Sequence, residues 1–313
     1  MSRSATGRRA DPRSRRTRPR PRSPRTPYLL LLPAGLWLLV FFAAPVVSQA
    51  STSVQSGSVA EGYRVTGDLS HYAEALTVYG GHFLRSFAYA GAATLGALLI
   101  GYPLAHTLAF RAGRWRVPLL ALVVAPFLTS FLLRTLAWKT ILSDGGPLVE
   151  TLSALRVLEV TAALGLTGED RILASPLAVI CGLVYNFLPF MVLPLYAALE
   201  RVDPALREAA RDAYATPAAA FRTVTLPLSL PGVAAGSLLT FIPASGDYIN
   251  AQLLGSPGEQ MIGNAIQKRF LNVLDYPTAA AMSFLLMAAV LLLLCLRPRG
   301  AVRPRGAAPR GTH

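Results

Sequence analysis

ERVDPALREAARDAYATPAAAFRTVTLPLSL, from Glu200 to Leu230, is a long polar interruption in an otherwise hydrophobic second half of the chain. Asp203 followed by Pro204 is a helix start, because the carboxylate accepts from free first-turn amides and proline needs no donor there. Thr216 with Pro217 repeats the signal, so the stretch predicts two short helices. Pro227 and Pro231 are expected to end the second, since an internal proline removes a helical hydrogen bond and crowds the preceding turn. On the first helix Leu206, Ala209, Ala210 and Ala213 share one side, while Arg207, Glu208, Arg211 and Asp212 hold the polar side. A face built mostly of alanine is narrow enough to lie deep in a partner's groove.

Glu208-Ala209-Ala210, followed at a fixed distance by Val224, Leu226 and Pro227, resembles the EAA loop of permease subunits in binding-protein-dependent ATP-binding-cassette importers. The resemblance implies a cytoplasmic coupling helix seated in a cleft of a separate ATPase, with Leu206, Glu208, Ala209, Ala210, Ala213, Tyr214, Leu226 and Pro227 as the docking surface. The family places glycine six residues after the glutamate, where this chain has Tyr214. A tyrosine does not adopt positive φ cheaply, so the turn here has its own shape. Read from the residues alone, an ordinary amphipathic surface loop is the competing assignment.

Composition narrows the class independently. Of 313 residues 53% are hydrophobic and 15% charged, with a mean hydropathy of +0.44. Soluble domains carry about a quarter charged residues, so this is a membrane protein. A net charge of +14 would fit nucleic acid, but the arginines crowd into 1–26 and 297–313. Both tails lack apolar periodicity and are expected to be disordered, and the first lacks the interleaved aromatics that stack on bases. Basic tails beside apolar spans instead fix orientation and attract anionic lipid headgroups.

Between the tails, residues 27–296 predict a six-helix transmembrane domain. Runs long enough to span the hydrocarbon lie at about Tyr28–Ser48, Ser86–Phe110, Val117–Leu142, Pro176–Leu199, Val224–Ser245 and Thr278–Leu296. Both tails, the loop Arg111-Ala-Gly-Arg114-Trp-Arg116 and the 200–230 loop are basic and belong inside. The alternate segments, about Gln49–Arg85, Ser143–Ser175 and Gly246–Pro277, hold most of the acidic residues and belong outside. The expected location is the plasma (inner) membrane, multi-pass, with both termini cytoplasmic.

Catalytic and metal sites are not expected. Cys181 and Cys295 sit in separate spans, and His71, His82, His106 and His313 are scattered without nucleophile or metal-ligand spacing. The two lysines, Lys139 after Trp138 and Lys268 after Gln267, do not follow glycine as a phosphate-binding loop requires. No cofactor is expected on this chain, and ATP with Mg belongs on a partner ATPase.

From about Ser86 onward the chain is similar to the spermidine/putrescine permease branch, in particular its first permease subunit. The resemblance rests on Gly101-Tyr102-Pro103, Ala125-Pro126-Phe127 with Arg134 and Trp138, Tyr185-Asn-Phe-Leu188-Pro189-Phe190, and Gly246-Asp247-Tyr248. It implies the all-α type I importer permease fold, an ATPase dimer, a second permease that is a related distinct chain, and an external solute-binding protein. The solute it implies is a polyamine, although the branch also carries opines, iron complexes and anions. A secondary transporter would show an inverted repeat and midplane ion-coupling residues, and neither is visible.

Arg134, Trp138, Tyr185, Asp247 and Tyr248 are the candidates for the translocation path. If the third span is a straight helix, Arg134 lies about 25 Å beyond Val117 at 1.5 Å per residue, near the outer boundary. It then either anchors the span with Trp138 and Lys139 or lines the path. Asp247, expected at the outer end of the fifth span beside Tyr248, suits a polyamine by charge and cation–π contact.

Overall fold

The computed structural model describes residues 26–146, 149–151, 161, 167, 171–213 and 216–295. The expected tails, apart from Thr26, lie outside the described residues, as does much of 143–175. Residues up to Gln49 form a unit of their own. Here α1 (Thr26–Leu38) continues through a π-helical turn, Leu39–Ala43, into α2 (Ala44–Thr52). Leu31–Thr52 is long and apolar enough to cross a bilayer.

The second unit opens with an antiparallel hairpin, β1 (Gln55–Ser58) and β2 (Gly62–Val65), in which Gln55 faces Val65 and Ser58 faces Gly62. It is a small addition to an otherwise helical chain. Asp68 closes its base by accepting from the Ser70 N–H at 2.8 Å and the Ser56 hydroxyl at 3.0 Å, which hold its carboxyl below the usual range. Then follow α3 (Ser70–Phe110), α4 (Arg116–Val124), α5 (Phe131–Ile141), α6 (Pro176–Glu200), α7 (Pro204–Ala213), α8 (Pro217–Ala220) and α9 (Leu226–Ser245). Two short helices, α10 (Ile249–Leu254) and α11 (Ile262–Gln267), precede α12 (Tyr276–Cys295).

Among the described residues five helices are long and apolar enough to span a membrane, and a bent pair makes a sixth if its pieces are taken together. The structure departs from the sequence expectation in three places. First, α3 starts at Ser70 rather than near Ser86. Its 41 residues extend about 60 Å, twice the roughly 30 Å hydrocarbon core. The outer turns are polar, which is why a hydropathy run misses them. Arg269 fastens them by donating to Glu74 at 2.6 Å, to Asp275 at 2.8 Å and to the Tyr79 hydroxyl at 2.7 Å.

Second, Pro227 and Pro231 do not stop the helix, which is unbroken from Pro217 to Ser245. A π-helical turn, Phe221–Thr225, lies between α8 and α9. The wider turn gives the Pro227 ring room against the carbonyl four residues earlier, an adjustment membrane helices tolerate.

Third, the third span is not one straight helix. Gly113–Leu128 and Phe131–Ile141 meet at 95°. Pro126 sits in a 3₁₀ turn, Ala125–Leu128, and Thr129 and Ser130 are extended, with ψ of 155° and 136°.

The core of this unit is α3, α6 and α9 packed together. Ala97, Ala105 and Leu108 of α3 meet Met191, Val192, Leu195, Tyr196 and Leu199 of α6. Glycines set the α6–α9 spacing: a methyl on Gly232 would lie 2.5 Å from Ala198 Cβ, and one on Gly236 would lie 2.9 Å from the Met191 carbonyl oxygen. Gly96 and Gly101 play the same part between α3 and α6, whereas Gly91 has open space. Replacing Gly236 by leucine should therefore wedge the helices apart at a cost of about 1–3 kcal/mol. The expected outcome is a melting temperature several degrees lower for the detergent-solubilised protein, and an unchanged one would show that α6 and α9 are not held this closely.

Candidate functional site

Two regions collect the residues that carry chemistry. The first is the 200–230 loop. The predicted caps form: the Ala205 N–H donates to Asp203 Oδ1 at 2.9 Å, and the Ala219 N–H to Thr216 Oγ1 at 3.2 Å. Helix α7 leaves Leu206, Glu208, Ala209 and Ala213 exposed, with Leu206 half accessible. Ala210 behaves differently from the expected docking face, since it is turned inward and buried. It closes a cavity of about 350 Å³ lined also by His106, Phe110, Arg111, Phe221 and Thr225. The reason is geometric, because residues 206, 209 and 213 share a line along the helix and 210 sits at its edge, against α8. Leu226 is half-buried and Pro227 exposed. Tyr214 and the side chain of Arg211, hence the possible Glu208–Arg211 pair, lie outside the described residues.

The second region is defined by how the third span climbs α6. Arg116 pairs with Glu200 at the last turn of α6 and stands over the Tyr196 ring. Eleven residues further, Phe127 meets Phe190 edge-on, with ring centroids 5.0 Å apart. Past the bend the climb nearly stops. Phe131 meets Phe187 at 6.1 Å, the Asn186 amide donates to Thr135 Oγ1 at 3.2 Å, and Trp138 lies edge-on to Tyr185 at 5.4 Å. Helix α5 therefore runs across α6 rather than along it. Asn186 is fourteen residues from Glu200, about 21 Å at 1.5 Å per residue, which places α5 inside the hydrocarbon. Arg134 is thus not at the outer boundary, because the bend cancels the rise that a straight helix would supply.

The turn after α9 reaches the same level. The Asn186 amide also donates to Asn250 Oδ1 at 3.1 Å, and Asp247 Oδ1 accepts from both the Asn250 backbone N–H, at 2.8 Å, and its amide, at 3.2 Å. Gly182 makes this possible, since a methyl there would sit 2.7 Å from Asn250 Oδ1. Thr135, Asn186, Asn250 and Asp247 are all buried. Asp247 is accordingly inside the bundle and not at an outer mouth, because the chain after Ser245 folds back into α10 instead of leaving as a loop.

The result is an intramembrane polar layer. Four of the predicted path residues, Arg134, Trp138, Tyr185 and Asp247, belong to it. Tyr248 follows next in the chain, more than a third exposed, and its carbonyl accepts from the Asn264 amide at 2.8 Å. The layer holds both charge signs, yet among the described residues neither charge has an ion-pair partner. Arg134 lies over the Phe127 and Phe131 rings, 5.2 and 5.5 Å from their centroids, and its Nε and Nη1 have no acceptor. Pro189 adds a further acceptor, because it offers no N–H to the Tyr185 carbonyl. Thr135, Asn186 and Asn250 escaped the sequence reading, since single small polar residues in apolar spans carry no spacing signal. Asn186, between Tyr185 and Phe187, was the one to notice.

Residues 97–299 match the family model described as binding-protein-dependent transport system inner membrane component. The spermidine/putrescine transport system permease protein PotB of Salmonella typhimurium (strain SL1344) is 38% identical over 261 residues, 83% of this chain and 88% of the relative. PotB of Escherichia coli (strain K12) is also 38% identical, over 82% of this chain and 91% of the relative. The inner membrane ABC transporter permease protein YdcU of Escherichia coli (strain K12) is 34% identical over 68% of each chain. A solved bacterial ABC transporter involved in the import of the acidic polysaccharide alginate superposes with a TM-score of 0.60 at 20% identity, covering 86% of this chain and 92% of that one. It shares the fold.

Asn186 joins three helices through one amide, so Asn186→Leu strands the buried Asn250 Oδ1, while Thr135 keeps its bond to the Phe131 carbonyl. The stranded group costs about 1–3 kcal/mol. The variant should melt well below the parent, and Asn186→Gln should lie between them. Equal melting of all three would mean that the amide contacts do not hold α5 and α10 in place.

Proposed function

We propose, for a chain that belongs to the family of binding-protein-dependent transport system inner membrane components, that it is the permease subunit through which a polyamine such as spermidine or putrescine enters the cell. It is a multi-pass inner-membrane transport subunit rather than an enzyme, and works with an ATPase and a solute-binding protein. The observation that carries the polyamine reading is the 38% identity to PotB over more than four fifths of both chains. The polar layer supports it. Asp247 is a carboxylate at membrane depth without a cationic partner among the described residues, and an intramembrane charge usually serves the solute or ion path. The Trp138–Tyr185 pair and the Tyr185 carbonyl, to which Pro189 offers no N–H, add cation–π and acceptor chemistry suited to ammonium groups. A polyamine binds such a site by charge, while the two aromatic rings guide its methylene chain.

In this reading α7 docks in the ATPase cleft through Leu206, Glu208, Ala209 and Ala213, and ATP with Mg is bound and hydrolysed there. Ala210 supports the helix from behind. Both termini are cytoplasmic, a distinct second permease completes the path, and the binding protein delivers the solute to the outer face. Among the other solutes of the branch, opines, iron complexes and anions, an anion is disfavoured because Asp247 would repel it.

Two substitutions test the two regions separately. Asp247→Asn keeps the Oδ1 acceptor for Asn250 and removes the charge, so polyamine uptake should weaken about tenfold, the loss of roughly 1.4 kcal/mol, with the transporter still assembled. Uptake of a neutral or anionic solute, indifferent to this change, would overturn the polyamine reading. Glu208→Lys should leave the permease inserted but lose co-purifying ATPase, since breaking a desolvated interface contact costs about 2–5 kcal/mol. Native ATPase recovery and native hydrolysis in proteoliposomes would remove α7 from the docking surface.

A further inference from the structure

The cavity behind α7 carries chemistry that neither the polar layer nor the docking face uses. Phe110 and Arg111 close it from the end of α3, Ala210 from α7, and Phe221 and Thr225 from the helix that runs unbroken from Pro217 to Ser245. At about 350 Å³ it falls within the roughly 300–1,000 Å³ of small-molecule sites. Two of its polar groups have no partner among the described residues. Thr225 is buried and lines the cavity, yet its hydroxyl makes no hydrogen bond there, and buried hydroxyls are seldom left unpaired. Arg111 is exposed at the rim and forms no ion pair, unlike Arg116 of the same loop, which pairs with Glu200. Its guanidinium is not needed to close α3, where the Thr107 carbonyl already accepts from the Arg111 and Ala112 backbone N–H groups, both at 2.9 Å. Among the described residues no acidic side chain lines the cavity. The rest of the wall is largely apolar, with His106 edge-on to Phe110 and Phe221, ring centroids 4.9 and 6.1 Å apart.

We propose that this cavity binds a phosphate ester, its oxygens meeting Arg111 and Thr225 and its substituent lying against Phe110 and Phe221. Charge selects an anion, because the guanidinium stays protonated and no carboxylate opposes it. The donors select phosphate among anions. A guanidinium fork takes two oxygens in its own plane, and a hydroxyl reaching in from another helix needs an oxygen outside that plane, which a tetrahedral phosphate offers and a planar carboxylate does not. The aromatic side of the wall suits an ester better than the bare ion. A headgroup of an anionic phospholipid beside the 111–116 loop and a soluble phosphate ester both carry this chemistry. Either one, held between Arg111 and Thr225, fills the space behind Ala210 and fastens α7 to the end of α3. The site stays open with an ATPase docked, since Ala210 turns inward while Leu206, Glu208, Ala209 and Ala213 are exposed. The proposal goes beyond the transport reading and depends on neither the solute nor the nucleotide.

The test is amide hydrogen exchange over residues 204–213 and 217–225 of the assembled importer, without solute or nucleotide. It compares nanodiscs of phosphatidylcholine, the same discs with millimolar glycerol 3-phosphate, and discs of equal parts phosphatidylcholine and phosphatidylglycerol. At least one of the two phosphate sources should slow exchange by about threefold or more, the ratio for a site two-thirds filled. Slowing by phosphatidylglycerol alone assigns the site to a lipid headgroup, and slowing by glycerol 3-phosphate assigns it to a soluble ester. Arg111→Gln should abolish the response and Thr225→Val should weaken it. Arg114→Gln removes the same charge from the same loop at a residue that does not line the cavity, and should keep it. Co-purification of the ATPase reports that each variant is folded. No slowing from either source, a response that survives Arg111→Gln, or one untouched by Thr225→Val would overturn the proposal. So would an equal loss in Arg114→Gln, which would show that the basic loop acts as a general charged surface.

Discussion

A backbone in hydrocarbon must satisfy its own hydrogen bonds, and the architecture of the second unit follows from how this chain meets and departs from that rule. Helices α3, α6 and α9 meet it outright. They are long and apolar, with glycines that let α9 lie against the carbonyl of Met191 and the methyl of Ala198. Prolines would ordinarily break such helices, yet Pro189, Pro194, Pro227 and Pro231 all lie inside them. The bilayer offers no alternative to helix, and neighbouring helices or a π-helical turn absorb the lost bonds. The departures are the bend of the third span, where Thr129 and Ser130 leave the helix, and the turn after α9 that carries Asp247. Thr135, Asn186, Asn250 and Asp247 gather between these two departures, joined by side-chain hydrogen bonds.

The two functional regions are joined by one rigid element. The helix that begins at the Thr216 cap in the 200–230 loop runs unbroken to Ser245, two residues before Asp247. Over 29 residues it is about 43 Å long at 1.5 Å per residue. A helix of that length packed against α6 moves as a body, so displacement at the loop reaches the Asp247 turn without being absorbed on the way. Tyr102 sits alongside, its hydroxyl 2.8 Å from Ser229 Oγ and its ring edge-on to Phe221, so α3 shares the load at the π turn. The buried Ala210 acquires a mechanical meaning in this arrangement. By packing α7 against the start of the long helix it ties the exposed side chains of α7 to that helix.

Hydropathy runs placed α6 to within a residue and found a counterpart for every span, because a charge-free stretch of this length has few other stable states in a membrane protein. The caps at Asp203 and Thr216 were legible for a local reason, since a short acceptor before proline acts within three residues. What stayed hidden depends on contacts distant in sequence. The outer half of α3 reads as a loop by hydropathy, and is helical with Glu74 and Tyr79 held by Arg269, nearly two hundred residues away. Pro227 obeys the usual prohibition only until a π turn relieves it. The depth of Arg134 and Asp247 was misjudged because the sequence gives the distance along the chain, and a 95° bend or a fold-back after Ser245 decouples that distance from depth. The residues themselves were still found, since a charge in an apolar run needs a reason wherever it lies.

That depth changes the meaning of the two charges. At an outer boundary, Arg134 and Asp247 would each be hydrated and worth little to selectivity. At the level of Asn186 each stands in a medium where an unpaired charge is costly, and they have not neutralised one another although both belong to one layer joined by Thr135, Asn186 and Asn250. Two opposite charges left apart at shared depth are stable only if each is met from elsewhere. Asp247 accepts from the Asn250 backbone N–H and amide, neutral donors that solvate its carboxyl without pairing it. Arg134 stands over the Phe127 and Phe131 rings with its Nε and Nη1 enclosed by the chain itself, so aromatic faces rather than an ion pair hold its charge.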